Sequence, residues 1–291
     1  MTDAAASPSP GASAAETPEL GPLIVAVAPN GARKTKADHP ALPVTAEEIA
    51  AAAAACREAG AAMIHLHVRD RDGAHLLDAE AYRRATAAIR REVGDDLVVQ
   101  ITTESVGRYG PAEQMAVVRA VRPEAVSIAI REIVPDEAAE PAAAEFLAWL
   151  ARERVMPQYI LYSAEDLERF RGLRRRGLIP GERPFALFVL GRYARGQRSL
   201  PADLLPFVNP LPVDIDWAIC AFGPWENACA LAAAALGGHV RVGFENNTQL
   251  ADGRTAPDNA ALVAQVAAGA ALLGRKLADA AAARALLSAS V

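Results

Sequence analysis

The chain has 291 residues, 52% of them hydrophobic and 22% charged, which is enough apolar mass for a large core and argues against general disorder. A formal net charge of -5 disfavours a nucleic-acid-coating protein, whose phosphate contacts need excess Lys and Arg. Cys56, Cys220 and Cys229 show no CxxC spacing and cannot all pair, so neither a disulfide framework nor a cysteine zinc site is expected, and a reducing, cytoplasmic setting fits.

Residues 1–21 are rich in Ala, Ser and Pro and read as a disordered extension. They lack a basic start followed by an apolar run, so no secretory signal is expected. From Leu23 onward, short runs of Val, Ile and Leu alternate with longer stretches of helical composition. The expected strands are 23–28, 63–68, 97–102, 125–130, 156–161, 185–190, 216–221 and 239–243, each followed by a helix. Thr45 and Glu48 form a capping-box pattern that opens the first helix, and Gly60 supplies its stop. The Ala-rich runs 50–55 and 278–283 lack the large apolar side chains of a membrane span.

Near-continuous apolar strands fit a parallel sheet covered by helices, and eight consecutive βα units predict a single-domain (β/α)8 TIM barrel over 22–291. The structural alternative is an open doubly wound sheet. That fold usually carries a Gly-rich phosphate turn after an early strand, and Asn30-Gly31-Ala32-Arg33-Lys34 lacks the GxGxxG pattern.

In the second strand, alternation puts His65 and His67 on one face, towards the barrel axis. Two imidazoles suit zinc, and a carboxylate would complete three protein ligands with a position left open. The competing reading is two polar core histidines. In a closed barrel the second and eighth strands both flank the first, so Glu245 at the eighth strand's end is the candidate carboxylate and Arg241 a candidate anion anchor. Taken alone, Glu245 could equally be a solvated loop acid. His239, at the start of that strand, belongs on the opposite rim as a structural residue. Arg131 and Glu132, just past the fourth strand, face either the pocket or each other in a local ion pair. The loop after the sixth strand concentrates Arg192, Arg195 and Arg198, suited to a ligand's phosphate groups or simply to water. The run 174–176 of arginines marks a helix C-terminus.

The segments PLIVAVAPNGARKTKADHPALPVTAEEIA, AGAAMIHLHVRDRDG, FVLG and GGHVRVGFENN, in this order, resemble the β-keto acid cleavage enzymes from about Pro22 to the C-terminus. The resemblance implies a zinc-dependent barrel, usually a homotetramer, that condenses a β-keto acid with acetyl-CoA and releases acetoacetate and a new CoA ester. By motif, His65, His67 and Glu245 then look like the ligands of Zn2+ or another divalent ion, and Arg241 like the residue that orients the acid/base position. Three departures from the aminohexanoate-cleaving members stand out. Asn246 replaces the acid after the metal-binding Glu and cannot act as an ordinary base. Thr102 and Ser127 exchange hydroxyl types. Arg33 replaces a Glu that suits an ammonium group, which favours a substrate with an additional anionic group, unless Arg33 points to water. A zinc hydrolase or aldolase that does not use CoA, and a catalytically silent metabolite-binding barrel, are the alternative functions.

Overall fold

The computed structural model describes residues 20–211 and 214–291, so the expected extension lies outside the described residues except for Leu20 and Gly21. Its strands are β1 (Val25–Val27), β2 (Met63–Leu66), β3 (Val68–Arg69), β4 (His75–Leu76), β5 (Val98–Thr102), β6 (Ala125–Ala129), β7 (Met156–Leu161), β8 (Phe185–Leu190), β9 (Asp216–Ala221) and β10 (His239–Val242). Eight of them close a parallel barrel in the order β1-β10-β9-β8-β7-β6-β5-β2, the (β/α)8 architecture that the alternation of the sequence predicts.

The parity of each strand divides the core in two. Val25, Val27, Ile64, Leu66, Val99 and Ile101 point outward and pack under the helices. Ile24, Ala26, Met63, Val98, Phe185 and Leu187 point inward and fill the barrel. The inward positions turn polar towards the strand ends, where Gln100, His65 and Arg241 are buried among them.

The ends of the elements are closed by specific contacts. Thr45 Oγ1 accepts from Glu48 N at 3.2 Å while the Glu48 carboxylate accepts from Thr45 N at 3.1 Å, so the capping box forms at the helix Ala46–Glu58. At the barrel base His239 Nδ1 accepts from Ile24 N at 3.0 Å, the structural role expected of it. Beside it, buried Arg275 donates to the carbonyls of Ala234 and Gly238 at 2.8 and 2.6 Å.

The expected strand 63–68 is broken. The barrel strand ends at Leu66, and β3 turns away to pair antiparallel with β4, Val68 opposite Leu76 and Arg69 opposite His75. Arg69 explains the departure: its guanidinium donates to the carbonyls of Gly31, Gly73 and Lys34 at 3.0, 2.7 and 2.9 Å and ties this hairpin to the loop after β1.

Candidate active site

Parallel pairing brings β2 and β10 to either side of β1, with Ala26 in register with both Met63 and Arg241. Their C-terminal ends therefore meet. His65 Nε2 and His67 Nε2 lie 3.1 Å apart, and Glu245 Oε2 is 3.6 Å from the first and 3.4 Å from the second. A tetrahedron with bonds of ~2.05 Å has edges of roughly 3.3–3.4 Å, so these separations are those of three ligands around one ion.

The hydrogen bonds behind the imidazoles determine which nitrogens carry protons. Gln100 Nε2 donates to Gln158 Oε1 at 3.3 Å, which turns Gln100 Oε1 towards His65 Nδ1 at 2.8 Å and puts the His65 proton on Nδ1. His75 Nε2 donates to the Glu104 carbonyl at 2.9 Å, so His75 Nδ1 accepts from His67 Nδ1 at 3.4 Å. Both Nε2 atoms then hold lone pairs aimed at each other and at Glu245 Oε2, which is buried without a hydrogen-bond partner. Three facing lone pairs repel unless a cation sits between them. A proton is poorly suited, because burial, helped by Arg241, holds the His65 pKa well below its usual range. The donor set thus fits a divalent ion, and among the described residues it is the cluster of three with metal-binding geometry.

The loops hold the carboxylate in place. Burial alone would raise the Glu245 pKa, but Arg241, with Nη2 3.0 Å from Oε1, leads the charges that hold it well below the carboxylate range. Lys34 Nζ donates to the carbonyls of Phe244 and Glu245 at 2.6 and 3.1 Å. Gly31, at φ +62°, lies so close that a Cβ there would stand 2.5 Å from Glu245 Cγ.

A narrow cavity opens over the triad, with His65, Arg241 and Glu245 in its wall. Ala129, Ile160, Val189 and Phe222 form its apolar wall, and Glu104, Glu132, Tyr162 and Arg192 its polar side. A second cavity, outside the first, shares Glu104, Arg192, Phe222 and Glu245 with it. Glu104 Oε2 is 3.9 Å from His67 Nε2, and Glu104 Oε1 is 3.4 Å from Arg192 Nη2. Glu132 accepts from Ser105 N and Oγ at 3.0 and 3.1 Å, and burial raises its pKa.

The expected site residues are not all gathered there. Thr102 lines the inner cavity, and its Oγ1 accepts from Glu104 N at 3.0 Å. Ser127, paired with Thr102 on the neighbouring strand, is buried with no partner for its hydroxyl and is not part of the cavity wall. Asn246 faces away: its Nδ2 donates to Glu226 Oε1 and to the Arg241 carbonyl, both at 3.4 Å, and burial pushes the Glu226 pKa up to about 8. Arg131 pairs with Asp166 at 2.5 Å and lies 4.5 Å over the Tyr162 ring, so it braces a cavity residue from behind. Arg33 is exposed at the lip of the outer cavity. Arg192 is inside, while Arg195 and Arg198 are exposed along the loop. His75, Gln100, Glu104 and Tyr162 are not singled out by the sequence, whereas Glu132, expected with Arg131 to face either the pocket or a local ion pair, lines the inner cavity. For Gln100 the inward parity it shares with Thr102 was an available signal; for Glu104 there was none beyond its place just after a strand.

Residues 22–288 match the family model described as beta-keto acid cleavage enzyme. The chain is 30% identical over 276 residues to a 3-oxoadipate:acetyl-CoA acetyltransferase of Cupriavidus necator, covering 91% of this chain and 94% of that one. It is 33% identical over 272 residues to a 3-keto-5-aminohexanoate cleavage enzyme of Fusobacterium nucleatum, covering 91% and 97%. Among solved structures it is similar to apo ObcA, with a TM-score of 0.68, 17% identity, and coverage of 87% of this chain and 66% of ObcA. At that identity the likeness concerns the fold.

Proposed function

The chain belongs to the β-keto acid cleavage enzyme family, and from that membership we propose that it exchanges acyl groups between a β-keto acid and acetyl-CoA. In the balanced reaction the acetyl carbonyl carbon bonds to C2 of the keto acid as its bond to the CoA sulfur breaks, and the released thiolate bonds to C3 as the C2–C3 bond breaks. The products are acetoacetate and a new CoA ester. One proton leaves C2 and returns to it, and no water is consumed.

The observation that carries this reading is the convergence of His65, His67 and Glu245 at the floor of a cavity in the barrel mouth. Two imidazoles and one carboxylate suit zinc with a position left open, and the ion when bound would supply Lewis acidity at the ketone oxygen. The chain's own residues do the rest. Arg241 keeps Glu245 ionised and oriented, and Gln100 and His75 hold the two imidazoles in the tautomers that present Nε2. Thr102 accepts from Glu104 N and so keeps its own hydroxyl proton free to donate into the cavity. Glu104 Oε2, beside the triad, is placed to hold the C2 proton where the Asn246 amide cannot. The apolar wall excludes water that would hydrolyse the thioester. Arg195 and Arg198, on the exposed loop, are placed to meet the CoA phosphates.

Arg33 at the lip of the outer cavity favours a substrate with an additional anionic group. The relatives' names point both ways, since 3-oxoadipate ends in a second carboxylate and 3-keto-5-aminohexanoate bears an amine. A cytoplasmic homotetramer completes the proposal. Leu236, Leu272 and Leu273, exposed at the ends of neighbouring helices, offer apolar contact for subunits.

The test is a panel of anionic, neutral and cationic β-keto acids given to zinc-loaded protein with acetyl-CoA, following acetoacetate and the CoA ester together. Equal amounts of both products, with acetyl-CoA obligatory, are expected. Turnover without acetyl-CoA points to a hydrolase or aldolase, and no turnover with any keto acid to a silent barrel.

A further inference from the structure

Several arginines stand near the site, and the structure shows how each is engaged. Arg241 is committed to Glu245 Oε1 and to Cys220 Sγ, at 3.0 and 3.3 Å. Arg131 is held by Asp166 outside the cavity, and Arg33 is exposed at the lip. Arg192 differs from all three. Its side chain is 15% exposed, its guanidinium lies 5.1 Å from the Phe222 ring centroid, and its hydrogen bond among the described residues is a long one, 3.4 Å to Glu104. A guanidinium has five N–H donors in a planar fork, so most of this one's donors open onto the two cavities it lines. A partly desolvated cation in that condition is a carboxylate receptor.

Resting on the proposed acyl exchange, we propose that Arg192 binds the distal carboxylate of the keto acid, which makes the substrate class a short-chain β-ketodicarboxylate. Glu104 gives the spacing: one of its oxygens is 3.4 Å from Arg192 and the other 3.9 Å from His67, so the width of a single carboxylate and two contacts separates the cation from the triad. A short acyl chain spans that distance, with its ketone at the triad and its far end at the guanidinium. Glu104 does not exclude the ligand, because the fork can serve two carboxylates at once. Arg195 and Arg198, exposed further along the loop, remain for CoA, so the three arginines of this loop divide between two ligands.

The experiment uses Arg192→Gln and Arg192→Lys in zinc-loaded protein with two readouts. The first is protection against thermal unfolding by glutarate, which cannot be cleaved, compared with its monoamide glutaramate, which lacks one charge. The wild type should bind glutarate more tightly by roughly tenfold to a hundredfold, the range of a charge-assisted hydrogen bond, with that preference lost in Arg192→Gln and partly restored in Arg192→Lys. The second is kcat/KM for a β-ketodicarboxylate over that for its neutral ester, which should fall by a similar factor in Arg192→Gln through the KM of the keto acid. Equal protection by the two ligands in the wild type, or a preference that survives in Arg192→Gln, overturns the proposal. So does a loss that falls on the KM for acetyl-CoA. Glutarate discrimination without turnover of any keto acid leaves the carboxylate subsite standing and removes the acyl-exchange reading.

Discussion

At Gly31 the backbone takes φ +62° and the chain passes against the flank of Glu245. Replacing Gly31 by Ala adds left-handed strain of roughly 1–2 kcal/mol and puts a Cβ against Glu245 Cγ, which must then move its carboxylate. Zinc affinity should fall roughly 10- to 100-fold, as it does when a ligand's support is removed, and a chelator competition measures it. Unchanged affinity would show that the close approach does not position the ligand. His65 and His67 were legible because the alternation of that run aims both at the barrel axis, a direction His67 keeps although it lies one residue past the end of β2. Glu104 was not legible and Glu132 was legible only as one of two readings, because an acid just past a strand has the same local sequence whether it turns into the mouth or out to water. Only the fold shows that both turn in. Asn246 was legible as a departure, but its orientation towards Glu226 was not, since that helix precedes it by a whole βα step.

Among the elements, β10 carries both a functional end and a structural one. At its base the neutral His239 ring accepts from Ile24 N, and burial, then Arg275, pushes its pKa down to about 3. Between that value and the ordinary ~6.5 the unfolded chain binds a proton that the native ring does not, so stability rises with pH across the window and is lost as pH falls below about 6.5. The loss from this group is roughly 2 kcal/mol at pH 5. His239→Asn, whose Oδ1 can accept the same hydrogen bond without titrating, should flatten the fall in urea midpoint between pH 7 and 5; parallel profiles for the two proteins would refute the assignment. The barrel strands were legible from their apolar runs. The split of the second was not, because what ends it at Leu66 is Arg69 reaching carbonyls on a distant loop, and no local pattern encodes that contact.

For the molecule as a whole, the apolar core between barrel and helices is far larger than the ion site. Chelating the metal, or changing His67 to Ala, should therefore lower Tm by roughly 5–10 °C, the effect of losing a tightly bound ligand from a domain of this size, and leave the far-ultraviolet circular dichroism intact. Collapse of that signal on chelation would instead make the ion part of the fold. The candidate ligands stand at or just past the C-terminal ends of β2 and β10, on opposite flanks of β1, so their sequence positions lie near the two ends of the barrel. An ion held by them would straddle the seam where the first and last strands join. A growing polypeptide would consequently offer a divalent ion no complete site until its final strand had been synthesised and the ring had shut, so that metal capture there would mark the completion of folding rather than its beginning.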